Sequence, residues 1–267
     1  MLSNKQKSLI KSLYTRHGRK KNDLCICEGV RCCRELVLIR PELVNLAVCS
    51  EDFDTAEVGN MEFTRIPRDE FDALSATVIP QGCLIIAGKS DMTPGETVPA
   101  DPFIIALDRV SDPGNLGTII RTVRAVGLKE LWLTEGTADP FGDKVIRSAL
   151  ASQFALKLRL FPDLNELGCE LRKFGYGRIY KTEPGGGADC FEEAGLFSKS
   201  AIVFGSEAHG AGEIEGGIPL VIPMPGKIES INVAQAATVI LFEAVRRGVF
   251  KKRHRGTEAQ SFEMSVN

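Results

Sequence analysis

From residue 103 onward, short apolar runs recur at Phe103 to Leu107, Leu128 to Leu133, Arg178 to Tyr180, Ala201 to Phe204 and Pro219 to Met224, with helical patterns between them. Runs that are apolar at every position, rather than alternating, fit parallel strands covered on both faces. The expected class is therefore α/β with crossover helices. Upstream, Asp23 to Lys89 alternates the runs Leu24 to Cys27, Leu43 to Cys49, Met61 to Ile66 and Cys83 to Ala87 with helix-like stretches at Val30 to Ile39 and Arg68 to Ser75. That pattern predicts a small α/β domain of its own. Between the two lies Ser90 to Pro102, polar and carrying Pro94, Pro99 and Pro102, a composition that extends neither a helix nor a central strand. The predicted organisation is an N-terminal domain over 1–90, a linker over 91–102 and a larger domain over 103–267.

Three segments at expected strand ends concentrate polar side chains and glycines, where open α/β sheets bind ligands. In Asp112-Pro113-Gly114-Asn115-Leu116-Gly117, Pro113-Gly114 predicts a turn and Asn115 stands at the entry of a helix. The stripe Leu116, Ile119, Ile120, Val123 and Val126 runs along that helix until Gly127 ends it. Arg121 falls off the stripe and Arg124 lies one turn further on, so the two guanidinium groups can share a face. A solvated arginine pair behind a capping Asn accounts for the same residues without any function.

The second segment, Val203-Phe204-Gly205-Ser206-Glu207-Ala208-His209-Gly210, turns off an apolar strand. Gly205 and Gly210 have a phosphate-loop gap, but Ala211-Gly212 stands where Lys-Ser/Thr would have to follow. Gly210, Gly212 and Gly216 also miss the spacing of the dinucleotide fingerprint, which disfavours a nucleotide-dependent oxidoreductase. What remains is a tight loop whose glycines let backbone approach a flat ligand, with Glu207 as a hydrogen-bond acceptor or a loop brace. The third segment, Ser230-Ile231-Asn232-Val233-Ala234-Gln235-Ala236-Ala237, opens a long amphipathic helix. Asn232 with Gln235 fits a capping box, and Ser230 could cap instead, so capping explains one of these two polar residues and leaves the other over.

In order and spacing, the three segments resemble the motifs of the SpoU (TrmH) family of RNA 2′-O-ribose methyltransferases in the SPOUT superfamily, closely over Phe103 to Arg247 and more loosely upstream. The resemblance implies a SPOUT-type parallel sheet with a C-terminal trefoil knot, plus an N-terminal substrate-binding domain resembling ribosomal protein L30e. It implies methyl transfer from S-adenosylmethionine to a ribose 2′-hydroxyl of rRNA or tRNA, without a metal, by a homodimer joined through its C-terminal domains. Asn115, Arg121, Glu207, Ser230 and Asn232 are the implied catalytic set, and Gly205, Ile222, Met224 and Ile231 the implied cofactor wall. Ala208-His209 departs from the family, which has Gly after the Glu, and Ile231 replaces a Leu. The family's Arg is sometimes described as a base, yet guanidinium keeps its proton above pH ~12. Arg121 is better suited to gripping a phosphate or the developing alkoxide. The rival from another class is a non-catalytic RNA-binding or ribosome-assembly protein on the same fold, which would be marked by loss of the polar set.

Composition adds bounds. With 267 residues, 43% hydrophobic and 25% charged, the chain resembles an ordinary globular protein, and no apolar run approaches a membrane span. With no secretory signal pattern, a cytoplasmic protein is expected. The net charge of -2 hides basic ends. Lys5, Lys7, Lys11, Arg16, Arg19, Lys20 and Lys21 precede the first acidic residue and are expected to meet phosphates. Arg246, Arg247, Lys251, Lys252, Arg253 and Arg255 are as readily explained by the last helix's dipole. Cys25, Cys27, Cys32 and Cys33 lack zinc-knuckle spacing and are expected to be small buried hydrophobes.

Overall fold

The computed structural model describes residues 2–206, 210–226, 228 and 230–250. Two sheets carry the chain. The N-terminal one has order β1-β4-β2-β3, from β1 (Leu24–Glu28), β2 (Val44–Ser50), β3 (Thr64–Ile66) and β4 (Cys83–Gly88). β4 lies antiparallel to β1 and β2, and β3 runs parallel to β2. The alternation of these strands sorts side chains by face. Ile26, Val48, Leu84 and Ile86 pack under α1 (Asn4–Leu13) and α4 (Arg68–Leu74). Cys25, Cys27, Cys49 and Cys83 point to the other face, where Cys32 and Cys33 of α3 (Val30–Ile39) meet them. The cysteines are thus core residues, as expected, and burial pushes the thiols of Cys27, Cys32 and Cys33 up, to about 12 for Cys32. Among the eight, only Cys169 is exposed.

The basic N-terminal run folds into α1 and α2 (Arg16–Asn22), with Ile10 and Leu13 in the core. That corrects the reading of its charges. Arg19 is buried, paired to Asp139 at 2.8 Å while its Nη1 donates to the Leu13 and Tyr14 carbonyls. Lys7 pairs with Glu70 at 3.0 Å. Lys5, Lys11, Arg16, Lys20 and Lys21 remain exposed.

The larger sheet is wholly parallel, with order β7-β6-β5-β10-β8-β11-β9. Its strands are β5 (Phe103–Asp108), β6 (Glu130–Thr134), β7 (Lys157–Phe161), β8 (Arg178–Thr182), β9 (Ala188–Asp189), β10 (Ser200–Gly205) and β11 (Gly217–Val221). On one face lie α5 (Pro113–Val126), α6 (Asp143–Ala149) and α8 (Val233–Arg246); α7 (Leu164–Lys173) packs on the other. Two strands escaped the sequence reading. β9 has only two residues, and β7 is interrupted by charge at Lys157 and Arg159. Arg159 is nevertheless fully buried, because Glu130 neutralises it at 2.8 Å and Trp132 and Phe174 flank its guanidinium.

Arg159 also donates to the carbonyls of Gly95 and Thr97, and Leu160 N to that of Met92, so the proline-rich segment is strapped along the edge of the sheet at β7. Nor do the two sheets stand apart. The cysteine face of the first and the α5, α6 and α8 face of the second share one hydrophobic cluster. Arg124 bridges the same boundary to Glu35 at 2.8 Å. No helix among the described residues is long and apolar enough to cross a membrane.

Candidate functional site

The first motif leaves the C-terminal end of β5. Asp112, not Asn115, caps α5, its carboxylate accepting from Asn115 N at 2.8 Å, and Pro113 occupies the first helical position rather than a turn. Proline suits that place because its φ is helical and it has no N–H to leave unpaired. Leu116, Ile119, Ile120, Val123 and Val126 are all buried, and Gly127 ends the helix at φ 98°, as read from the sequence.

The third motif follows β11. The strand ends at Val221, so Ile222 and Met224 stand half-buried on the loop beyond it, with Ser230 exposed and Ile231 half-buried further along. Asn232 caps α8, its Oδ1 accepting from Ala234 N at 2.9 Å and from Gln235 N at 3.4 Å. Those bonds fix the amide's orientation and turn Nδ2 outward. Nδ2 donates to Asn115 Oδ1 at 2.9 Å, so two residues 117 positions apart lock the start of α8 to the start of α5. The capping read from the sequence and the bond across to Asn115 are served by the two ends of one side chain.

Between them, the second motif leaves β10 at Gly205. The chain folds straight back, Gly210 N donating to the Ser206 carbonyl at 2.8 Å. A Cβ on Gly205 would stand 1.8 Å from both Gly210 C and Ala211 N, so only glycine permits this return. Glu207, Ala208 and His209 lie outside the described residues.

All three loops therefore sit on one carboxyl edge, those of β5 and β10 on adjacent strands from which the chain departs in opposite directions, a place where open α/β sheets bind ligands. Arg121 is set apart. It lies six residues into α5 from Asn115, about 9 Å along the axis and some 240° around it, exposed and without a hydrogen bond or ion pair to another described residue. Arg124, its expected companion, is committed to Glu35. Arg246 and Arg247 at the end of α8 are likewise engaged, both on Glu243 at 2.6 Å; Lys251 onward is outside the described residues. No cluster among the described residues could hold a metal ion.

The sequence reading missed Asp108. It closes an otherwise apolar strand and is 3% exposed, with Thr134 Oγ1 donating to Oδ1 at 2.8 Å and Gly212 N to Oδ2 at 2.9 Å. A lone carboxylate ending a buried run at the binding edge was the available signal. A cleft of about 210 Å³ opens beside it, bounded by Arg109, Glu135, Asp163 and Glu213.

A parallel sheet with its polar loops gathered on the carboxyl edge, and the first and last of them locked by an asparagine pair, defines an α/β protein with a candidate ligand site at that edge. The chain belongs to the SpoU rRNA Methylase family, whose model matches residues 102–242. It is 31% identical over 240 residues, covering 87% of this chain and 92% of the relative, to the 23S rRNA (guanosine(2553)-2′-O)-methyltransferase RlmP of Bacillus subtilis. It is 35% identical over 150 residues, 54% of this chain and 74% of the relative, to the tRNA (guanosine(18)-2′-O)-methyltransferase of Thermus thermophilus. Its fold matches the SpoU methyltransferase AviRb of Streptomyces viridochromogenes, solved in complex with AdoMet, at a TM-score of 0.79 and 22% identity over 94% of this chain and 100% of that one.

Proposed function

We propose that this protein methylates a ribose 2′-hydroxyl of ribosomal RNA. The chain is an RNA 2′-O-methyltransferase using S-adenosylmethionine, and the 23S rRNA relative, which it matches over most of both lengths, supports ribosomal over transfer RNA. The Asn232–Asn115 bond carries the reading, because it joins the first and third motifs at the strand edge where Gly205 closes the second.

The residues present fit the cofactor. Gly205 lets backbone pass where no side chain fits, and Ile222, Met224 and Ile231 offer half-buried apolar surface for an adenine. S-adenosylmethionine supplies a methyl group on a sulfonium that leaves as a neutral thioether. The protein must then hold the hydroxyl in line and stabilise charge as it develops on oxygen. Arg121, a cation uncommitted to any described residue, is assigned to the RNA phosphate or that oxygen; Asn115 and Asn232 hold the geometry, and Ser230 and Glu207 are assigned to the same catalytic set. We assign RNA capture to residues 1–90, where Lys5, Lys11, Arg16, Lys20 and Lys21 are exposed. A homodimer through the C-terminal domain is supported by the outer face of α8, where Phe242 is 52% and Val245 42% exposed. A trefoil knot is supported by chain order, since β11 pairs beyond β8 while α8 returns to pack on α5 and β10.

Mapping ribose methylation in ribosomal RNA from cells with and without the protein, beside calorimetry with S-adenosylmethionine, tests the assignment. One lost 2′-O-methyl site and micromolar-range binding, about -7 to -8 kcal/mol, are expected. An unchanged methylation map with retained RNA binding would favour a ribosome-assembly role instead.

A further inference from the structure

Asp108 lies directly across from Gly205 in the β10–β5 register, one strand away from the turn that starts the second motif. Its carboxylate is buried yet accepts from one strand, a loop and the neighbouring Arg109. Thr134 Oγ1 binds Oδ1 from the end of β6, while Gly212 N binds Oδ2 from the segment returning past Gly205. Arg109 completes the arrangement. It holds a left-handed φ of 54°, donates its backbone N to Thr134 Oγ1 at 3.2 Å, and folds its guanidinium back onto Asp108 at 2.8 Å. A non-glycine residue in that conformation costs about 1 kcal/mol, and such strain persists only where surrounding contacts enforce it.

The returning segment is also held by Lys181, whose Nζ donates to Glu213 at 3.0 Å, by Arg172 on the Glu215 carbonyl and by Ile214 in the core, but Asp108 ties its backbone to the end of β5 beside Gly205. A bond from backbone N–H to a buried carboxylate is about twice as strong as a neutral one, so it can set where the loop lies. We propose that Asp108 is a positioning residue for the cofactor: by holding Gly212 it fixes the 210–216 segment against Gly205, and so shapes the wall against which S-adenosylmethionine binds. This rests on the methyltransferase reading above and extends it to a residue outside the three motifs.

The test compares Asp108→Ala and Asp108→Asn in the full chain. Asparagine can still accept Gly212 N through Oδ1 while its Nδ2 donates to Thr134 Oγ1, whereas alanine can do neither. Calorimetry with S-adenosylmethionine, well below each variant's melting temperature, should show at least a ~10-fold weaker Kd for alanine and within ~3-fold of wild type for asparagine, with RNA affinity unchanged in both. Amide exchange over 210–216 should speed up in alanine alone. Faster exchange with an unchanged cofactor Kd would overturn the positioning role, and unchanged exchange would overturn the latch itself. A wild-type protein that fails to bind S-adenosylmethionine sinks the methyltransferase reading, while the exchange measurement still judges the latch. If Asp108→Ala does not fold, Thr134→Val, which strips the donor from Oδ1, should show the same two effects at about 3-fold; absence of either counts against the proposal.

Discussion

At the scale of single residues, the site separates charge held by the fold from charge left for a ligand. Arg19, Arg124 and Arg159 all have acidic partners, and Arg121 has none among the described residues. Arg121→Ala should lower methyl transfer to RNA by at least ~100-fold while cofactor affinity moves by less than about 1 kcal/mol. Arg121→Lys keeps the charge but loses the planar fork, and should also be badly impaired. Near wild-type transfer of labelled methyl groups by the alanine variant would remove Arg121 from the chemistry. Gly205→Ala should act on the cofactor side, because its Cβ meets backbone rather than a movable side chain. Overpacking of that kind costs about 1–3 kcal/mol, and cofactor binding should weaken by at least ~10-fold in calorimetry. A variant that binds normally would show that the return of the loop is not fixed by Gly205.

At the scale of elements, α8 is held at both ends by different means. Asn232 ties its start to α5. At its end, Glu243 accepts from Arg246 and Arg247, while Arg247 also donates to the Glu193 and Cys190 carbonyls. The hydrogen bonds from Arg246, then those from Arg247, hold the Glu243 carboxyl down at about 2. A carboxyl lowered in the folded state stabilises above its unfolded value, near 4.3, and that contribution is lost as pH falls towards 2. Urea midpoints from pH 6 to 2 should therefore fall less steeply for Glu243→Gln than for wild type; parallel curves would mean the ion pairs are screened away.

At the scale of the whole molecule, the N-terminal sheet and its helices are welded to the larger sheet rather than tethered to it. Arg19 and Asp139 are the clearest test, since removing one partner strands the other. Breaking a buried pair of this kind costs about 3 kcal/mol, so Arg19→Ala should show a correspondingly lower urea midpoint, and a change below ~0.5 kcal/mol would show that the contact is not holding the two parts together. RNA binding should respond to the exposed charges instead. Lys20→Glu with Lys21→Glu should weaken RNA affinity and reduce the salt slope by about 1–2, with cofactor affinity unchanged. Equal slopes in filter binding would move the RNA surface away from α2.

Much of this was legible in the sequence because its signals are local. Unbroken apolar runs mark strands covered on both faces, and the i, i+3, i+4 stripe of α5 and its terminating Gly127 follow from helix geometry. The three motifs could be placed at strand ends for the same reason, and with them the family. The tertiary structure decided what depends on partners distant in the chain. Arg159 could be buried in β7 only because Glu130, Trp132 and two linker carbonyls meet it there, so no local pattern announced the strand. Arg19 looked like a phosphate ligand until Asp139, 120 residues away, claimed it. Asn232 and Asp108 make the same point at the site: capping propensity and a charged strand end are local facts. Their bonds to Asn115 and Gly212 span 117 and 104 residues, and exist only once the parallel sheet has brought β5, β10 and β11 to a common edge.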